Sequence, residues 1–255
     1  MARIKTRKEI QILKEGGSIL AEVLRLLILE IRPGLDVSHL NIRASEFMLE
    51  SGGKPSFLHY KPHFALIPFP AALCVSINEE VVHAPANISR KLKDGDIVSI
   101  DIGMEYLGLF TDMAVTIGVG TITHQDRKLI RVTKEALDRA IEIVRDGVSL
   151  AEIGKVIQKY VEKENFSVIR SLVGHGVGHA VHEEPAIPNY YDPLLRNERL
   201  KAGMVIALEP MVAFGSFEII IDKDGWTVRT KDGRRAAHFE HTLAVTENGA
   251  QILTE

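Results

Sequence analysis

The chain has 255 residues, 45% apolar and 25% charged, with a formal charge of -3. That length suits one large α/β domain, and the balance excludes a disordered or collagen-like polymer. The charge excludes a strongly basic binder of nucleic acid working by phosphate neutralisation alone. A single cysteine, Cys74, excludes an internal disulfide. The amino terminus, MARIKTRKEI, runs into charge rather than an apolar stretch, so no secretory signal is expected. The most apolar run, Ile19 to Ile31, is interrupted by Glu22, Arg25 and Glu30 and is too short to span a bilayer. A cytoplasmic protein of one domain over 1–255 is expected.

Apolar residues recur at helical spacing from Ile10 to Ile28, and Arg32-Pro33-Gly34 ends the period. A second helical stretch covers 37–51, closed by Gly52-Gly53. The same order returns later: Leu129 to Val144 forms an amphipathic helix, Arg145-Asp146-Gly147 stops it, and Leu150 to Val161 begins the next. The two turns lie 113 positions apart. Downstream, Leu92 to Asp101 aligns with Leu200 to Glu209 at an offset of 108; both read as a Gly-containing turn feeding a strand that ends in a carboxylate. A third correspondence sets Asp112 against Glu240, less well in register. These matches predict an internally duplicated α/β domain, helix-helix-strands twice. Gly-, Asp- and Lys-rich turns at 221–225 and 230–235 predict a hairpin inserted late in the second half.

Asp101 and Glu209 sit in apolar runs, where an unpaired carboxylate costs several kcal/mol. For one such acid a salt bridge or a solvent-facing strand is the plain explanation. Two at equivalent repeat positions, each followed by a second acid, point elsewhere. Facing halves would bring four carboxylates to one place, and like charges need cations to share a small site. Two divalent ions would balance them.

A nitrogen donor is on offer in Gly174-His175-Gly176-Val-Gly178-His179-Ala-Val-His182-Glu183-Glu184-Pro185. Its glycine spacing is not a dinucleotide fingerprint, and Ala186 stands where a zincin needs its second histidine. The flanking glycines argue against a helix presenting His175 and His179 together. A tight loop remains, with His175 able to approach a metal, His182 able to face a substrate, and His179 read as a satisfied turn residue. His83 ends a short apolar strand. Cys74 has no sequence-local base, so it reads as a core or pocket-wall residue rather than a nucleophile.

The motifs SINEEVVHAPA at 76–86, Asp101 and Asp112, GHGVGHAVHEEP at 174–185, ALEPMV at 207–212, DGWTVRTKDG at 224–233 and FEHTLAVTENG at 239–249 closely resemble those of type I methionine aminopeptidases. The resemblance spans essentially the whole chain. It implies a pita-bread fold, α/β (α+β), with pseudo-two-fold halves around a central antiparallel sheet. It implies metal ligation by Asp101, Asp112, His175, Glu209 and Glu240, holding two divalent ions of cobalt, manganese, iron(II) or zinc type. It further implies removal of the amino-terminal methionine from peptides and nascent chains, with a small second residue preferred. Glu209 would shuttle the proton, His182 would hydrogen-bond the scissile group, and His83 would hold the leaving nitrogen. Cys74 and Trp226 match positions of the methionine pocket.

Two departures touch that pocket. Residues 57–73 are longer than usual, so the pocket tyrosines have no secure counterpart, and Val181 stands where an aromatic is usual. The competing readings are an Xaa-Pro aminopeptidase or prolidase of the same fold, which usually carries a further amino-terminal domain, and a non-catalytic binding relative. The basic clusters Arg3-Lys5-Arg7-Lys8 and Lys231-Arg234-Arg235 offer a docking surface for the ribosome. A monomer with no membrane contact is expected.

Overall fold

The computed structural model describes residues 3–62 and 65–255. The first half runs through helices α1 (Arg7–Glu30) and α2 (Val37–Glu50), then strands β1 (Lys54–Pro55), β2 (Leu73–Ile77), β3 (Glu80–Val82), β4 (Ile97–Tyr106) and β5 (Leu109–Gly118). The second half repeats the plan with α3 (His124–Ile143) and α4 (Leu150–Lys163), then β6 (Ser167–Val168), β7 (Val173–Gly176) and β8 (Glu183–Pro188). It continues with a 3-10 turn at Pro193–Leu195, β9 (Val205–Leu208), β10 (Met211–Ala213), β11 (Ile219–Ile221), β12 (Val228–Thr230), β13 (Ala236–His238), β14 (Glu240–Val245) and β15 (Ala250–Ile252).

The two long helices start alike. Thr6 and Thr123 each accept the backbone N–H of the third helical residue, and that residue, Glu9 or Asp126, reaches back to the cap. They also end alike, in an extended C-cap at Ile31 and at Val144. The following glycines, Gly34 and Gly147, have φ of 87° and 79°, where a side chain would be strained. Gly34 N–H then donates to Leu92 O at 2.8 Å, and Gly147 N–H to Leu200 O at 2.9 Å. These bonds join residues at the offsets of 113 and 108 seen in the sequence, so the duplication extends to individual hydrogen bonds.

A nine-stranded antiparallel sheet unites the halves in the order β1-β4-β5-β14-β9-β7-β8, with β2 beside β4 and β15 beside β14. The halves meet where β5 pairs with β14. Helices α1 and α2 bury Leu20, Leu24, Leu27, Leu40 and Met48 against Ile100 and Ile102 of β4. Helices α3 and α4 bury Leu129, Leu137, Ile153 and Ile157 against Ile206 and Leu208 of β9 and Leu243 of β14. Each such aliphatic side chain contributes about 1.5–3 kcal/mol relative to exposure. The inserted hairpin is present as β11 and β12, which pair with β3 in a separate three-stranded sheet.

Three sequence expectations change. Asp101 does not end its strand but sits in the middle of the ten-residue β4. Asp112 and Glu240 are not equivalent positions. Register sets Asp101 opposite Ala114, and Glu240 also faces Ala114, so Asp112 lies two residues earlier on β5. An offset of two keeps it on the same face. His175 is on strand β7, opposite Ala207, rather than in a loop.

Candidate metal centre

Alternation along paired strands decides which side chains meet. Ile100 and Ile102 point toward the helices, so Asp101 between them points away. The same face receives Asp112 from β5, Glu240 from β14 and His175 from β7. Glu209 follows β9 directly, its backbone carbonyl held by Asn189 Nδ2 at 3.0 Å. All five, with Cys74, His83, His182 and Trp226, line one cavity of about 420 Å³. Every residue singled out in the sequence as a site residue therefore borders a single space.

Within it, one donor atom each from Asp112, His175 and Glu240 lies within 4.8 Å of the others. His175 Nδ1 contacts Gly176 O at 2.8 Å. A carbonyl only accepts, so Nδ1 carries the proton and Nε2 presents a lone pair. That lone pair stands 3.3 Å from Glu209 Oε1, a second acceptor. Asp101 Oδ1, Asp112 Oδ1 and Glu240 Oε1 are buried without hydrogen-bond partners. Buried acceptors facing acceptors fit divalent cations of the oxygen- and imidazole-binding kind.

The electrostatics agree. Burial first, and neighbouring carboxylates second, push Asp112 and Glu240 well above the usual carboxylate range; burial does the same to Glu209. Asp101 is pushed up to about 6, chiefly by burial. Burial lowers His83 and His175 to about 4, so both imidazoles are neutral near pH 7. His238, fully buried, has both ring nitrogens unpartnered, with Nε2 3.6 Å from Glu209 Oε2. Cys74 is raised well above its ordinary value by burial and by the adjacent acids, which fits a pocket wall and not a nucleophile.

The apolar end of the cavity joins Cys74 and Trp226, which the sequence placed there, to aromatic residues it left unmapped. Phe69 packs edge-on against Trp226 at 5.1 Å and against Phe57 at 6.4 Å, and Cys74 and Val181 complete that cluster. Tyr60 places its hydroxyl 2.7 Å from His182 Nδ1. The long segment does not disturb this wall. His59 N–H donates to Phe69 O and Phe69 N–H to Tyr60 O, at 2.9 and 2.8 Å, closing the chain between them into a loop pinched at its base.

Two further residues act at a distance. Lys5 is buried, its ammonium 2.7 Å from Glu183 Oε2, while Glu183 Oε1 accepts N–H groups of His179 and Ala180. This fastens the turn between His175 and His182. His179 is a turn residue whose Nε2 is paired to Glu9 Oε1 at 2.7 Å, while its buried Nδ1 has no hydrogen-bond partner, so the expected satisfied residue is only half satisfied. The basic clusters are thereby reduced. Lys5 is not on the surface, Arg235 pairs with Asp126 at 2.7 Å, and Lys231 lies 3.3 Å from Glu218. Lys5 carried no sequence signal beyond its charge.

A duplicated sheet with acids and one imidazole converging on an apolar-ended cavity defines a metal-dependent hydrolase. The sequence profile of metallopeptidase family M24 matches residues 11–247, and the chain belongs to that family. It is 45% identical to the methionine aminopeptidase of Aquifex aeolicus over 98% of this chain and 97% of that protein. The crystal structure of methionine aminopeptidase from Thermotoga maritima superposes with a TM-score of 0.94 at 43% identity, covering 100% of both chains. A prolidase from Pyrococcus furiosus reaches a TM-score of 0.76 at 25% identity, with 99% of this chain covering 65% of that one.

Proposed function

We infer that the protein removes the amino-terminal methionine from peptides and nascent chains by metal-dependent hydrolysis, favouring a small second residue. The observation that carries this reading is the joining, in one cavity, of the acceptor cluster to an apolar wall of Phe69, Cys74 and Trp226. A thioether side chain packs well against aromatic and sulfur surfaces. Full-length relatives named methionine aminopeptidase support it over the prolidase reading, whose structural match covers only part of the longer chain.

In the proposed site Asp101, Asp112, His175, Glu209 and Glu240 would hold two divalent ions. When bound, such ions lower the pKa of water and polarise the scissile carbonyl. The protein supplies the rest. Glu209 takes the water proton and passes it to the leaving amine. His182, at the cavity mouth, hydrogen-bonds the scissile unit, and neutral His83 holds the leaving nitrogen. The apolar wall seats the methionine side chain and excludes water from it. Cobalt, manganese, iron(II) and zinc all suit this donor set.

The chain is proposed to act as one catalytic unit, a cytoplasmic monomer. No helix among the described residues is long and apolar enough to cross a membrane. Docking on the ribosome would have to rely on Arg3, Arg7, Lys8 and Arg234, since the other members of the basic clusters are paired.

Glu209→Gln keeps the shape and removes both the proton shuttle and one proposed carboxylate ligand, so metal content is measured beside turnover. It should lower kcat on Met-Ala-Ser by at least about 100-fold, the usual worth of general acid–base catalysis, with thermal unfolding little changed. Retained turnover would remove Glu209 from the mechanism, and preferential cleavage of Ala-Pro peptides by the unmodified protein would favour the prolidase reading.

A further inference from the structure

His175 and His182 lie side by side within the cavity, ring centroids 4.4 Å apart and planes tilted by 58°, yet the protein ties their Nδ1 atoms to opposite kinds of partner. His175 Nδ1 meets a carbonyl, which can only accept. His182 Nδ1 meets the Tyr60 hydroxyl, which can donate. The partner on one imidazole nitrogen fixes the proton on the other. We propose that Tyr60 is a positioning residue that sets the tautomer of His182, its O–H donating to Nδ1 so that Nε2–H is the group His182 presents to a substrate. The neighbouring pair then offers one lone pair and one N–H, two different tools from the same kind of side chain.

Two observations give the bond its direction. An imidazole nitrogen is a far stronger base than a phenol oxygen, so O–H···N is the favoured sense of such a contact. Burial and the nearby Asp112 carboxylate raise the Tyr60 pKa, which keeps its proton in place near neutrality. The backbone fixes the hydroxyl as well. Tyr60 N–H donates to Phe57 O at 2.9 Å and its carbonyl accepts Phe69 N–H, so the ring is held at a point fixed by two backbone bonds. The role of Nε2–H as donor to the scissile carbonyl rests on the reading of His182 given above; the tautomer itself does not.

The test uses Tyr60→Phe, which retains the ring and its packing. Nitrogen-15 NMR of the histidine side chains, with His182 assigned by its loss in His182→Gln, is recorded for the metal-free and zinc-loaded proteins. The unmodified protein should show His182 protonated on Nε2 and bare on Nδ1, and Tyr60→Phe should show both tautomers. On Met-Ala-Ser, Tyr60→Phe should lower kcat about ten-fold, within the range for loss of an orienting partner, with KM within about two-fold and metal content unchanged. A proton on Nδ1 in the unmodified protein, or a tautomer indifferent to the substitution, would overturn the proposal. A raised KM at constant kcat would do so too, reducing Tyr60 to a wall of the side-chain pocket. If the unmodified protein turned over no Met-Ala-Ser, the peptidase reading would fail while the NMR result still decided the tautomer.

Discussion

Thr242 stands where β14 parts from β5, one residue past the last paired position, His241 opposite Met113. Its hydroxyl takes over the ladder alone, accepting Asp112 N–H at 2.9 Å and donating to Asp112 O at 2.7 Å. One oxygen thus fixes the backbone of a proposed metal ligand at the point where the strands separate. Thr242→Val keeps the volume and strands two buried groups, at about 1–3 kcal/mol each. It should lower stability by about 2–6 kcal/mol and weaken metal binding at least about ten-fold, while Thr242→Ser stays close to the unmodified protein; chemical denaturation and calorimetric metal titration would read both. Residues of this kind were illegible in the sequence for one reason. Thr242, Tyr60 and Lys5 gain their meaning from partners 130, 122 and 178 positions away. The acids were legible because a carboxylate in an apolar run is anomalous within its own few residues.

Among the elements, the least foreseen is the segment ahead of α1. Residues 5–9 work as a brace: Lys5 pins the turn before β8, and Glu9 caps its own helix while binding His179 across the gap. Hydrogen bonds, first from His179 and then from Thr6, hold the Glu9 pKa down to about 2 from an ordinary 4.5. A carboxyl depressed on folding adds stability above its unfolded pKa and loses it as pH falls through the folded one. Glu9→Gln should therefore cost about 1 kcal/mol at pH 7, a small figure because the group is partly solvated. The two proteins should converge in stability as pH drops from 4.5 toward about 2, as followed by thermal melts across that range. The glycines around His175 show how an element can be misread. They suggested a loop, but a Cβ at Gly174 would come within 2.5 Å of Ala207 O, and one at Gly176 within 2.3 Å of Glu184 O. Their service is close strand packing, which leaves the same trace in a sequence as a turn.

At the scale of the molecule, the duplication was readable because turns and caps are local and repeat almost residue for residue. The pairing of the second acids was not, since Asp112 and Glu240 sit at different heights on strands that meet only in three dimensions. The convergence of both halves on one buried acidic cluster ties the expected stability of the fold to pH and to bound cations. Asp101, raised to about 6 on folding from 3.8, contributes stability at low pH that is lost as pH rises through that interval. Protein stripped by a chelator should melt at lower temperature at pH 8 than at pH 5, and added manganese should restore more stability at pH 8, since a ligand that binds only the folded state stabilises it. Calorimetry showing a metal effect independent of pH would count against this account.

The pinch at Tyr60 and Phe69 has a different consequence. In the chain between them Pro62 still lines the cavity and Ala65 packs on its apolar cluster, but Leu66 and Ile67 do neither, so length and composition at that point should vary without a toll on catalysis. Leu66 and Ile67 lie in that excursion, 93% and 53% exposed. A reporter peptide spliced between them would ride as cargo on a working enzyme, which makes this the natural handle for tethering or labelling it.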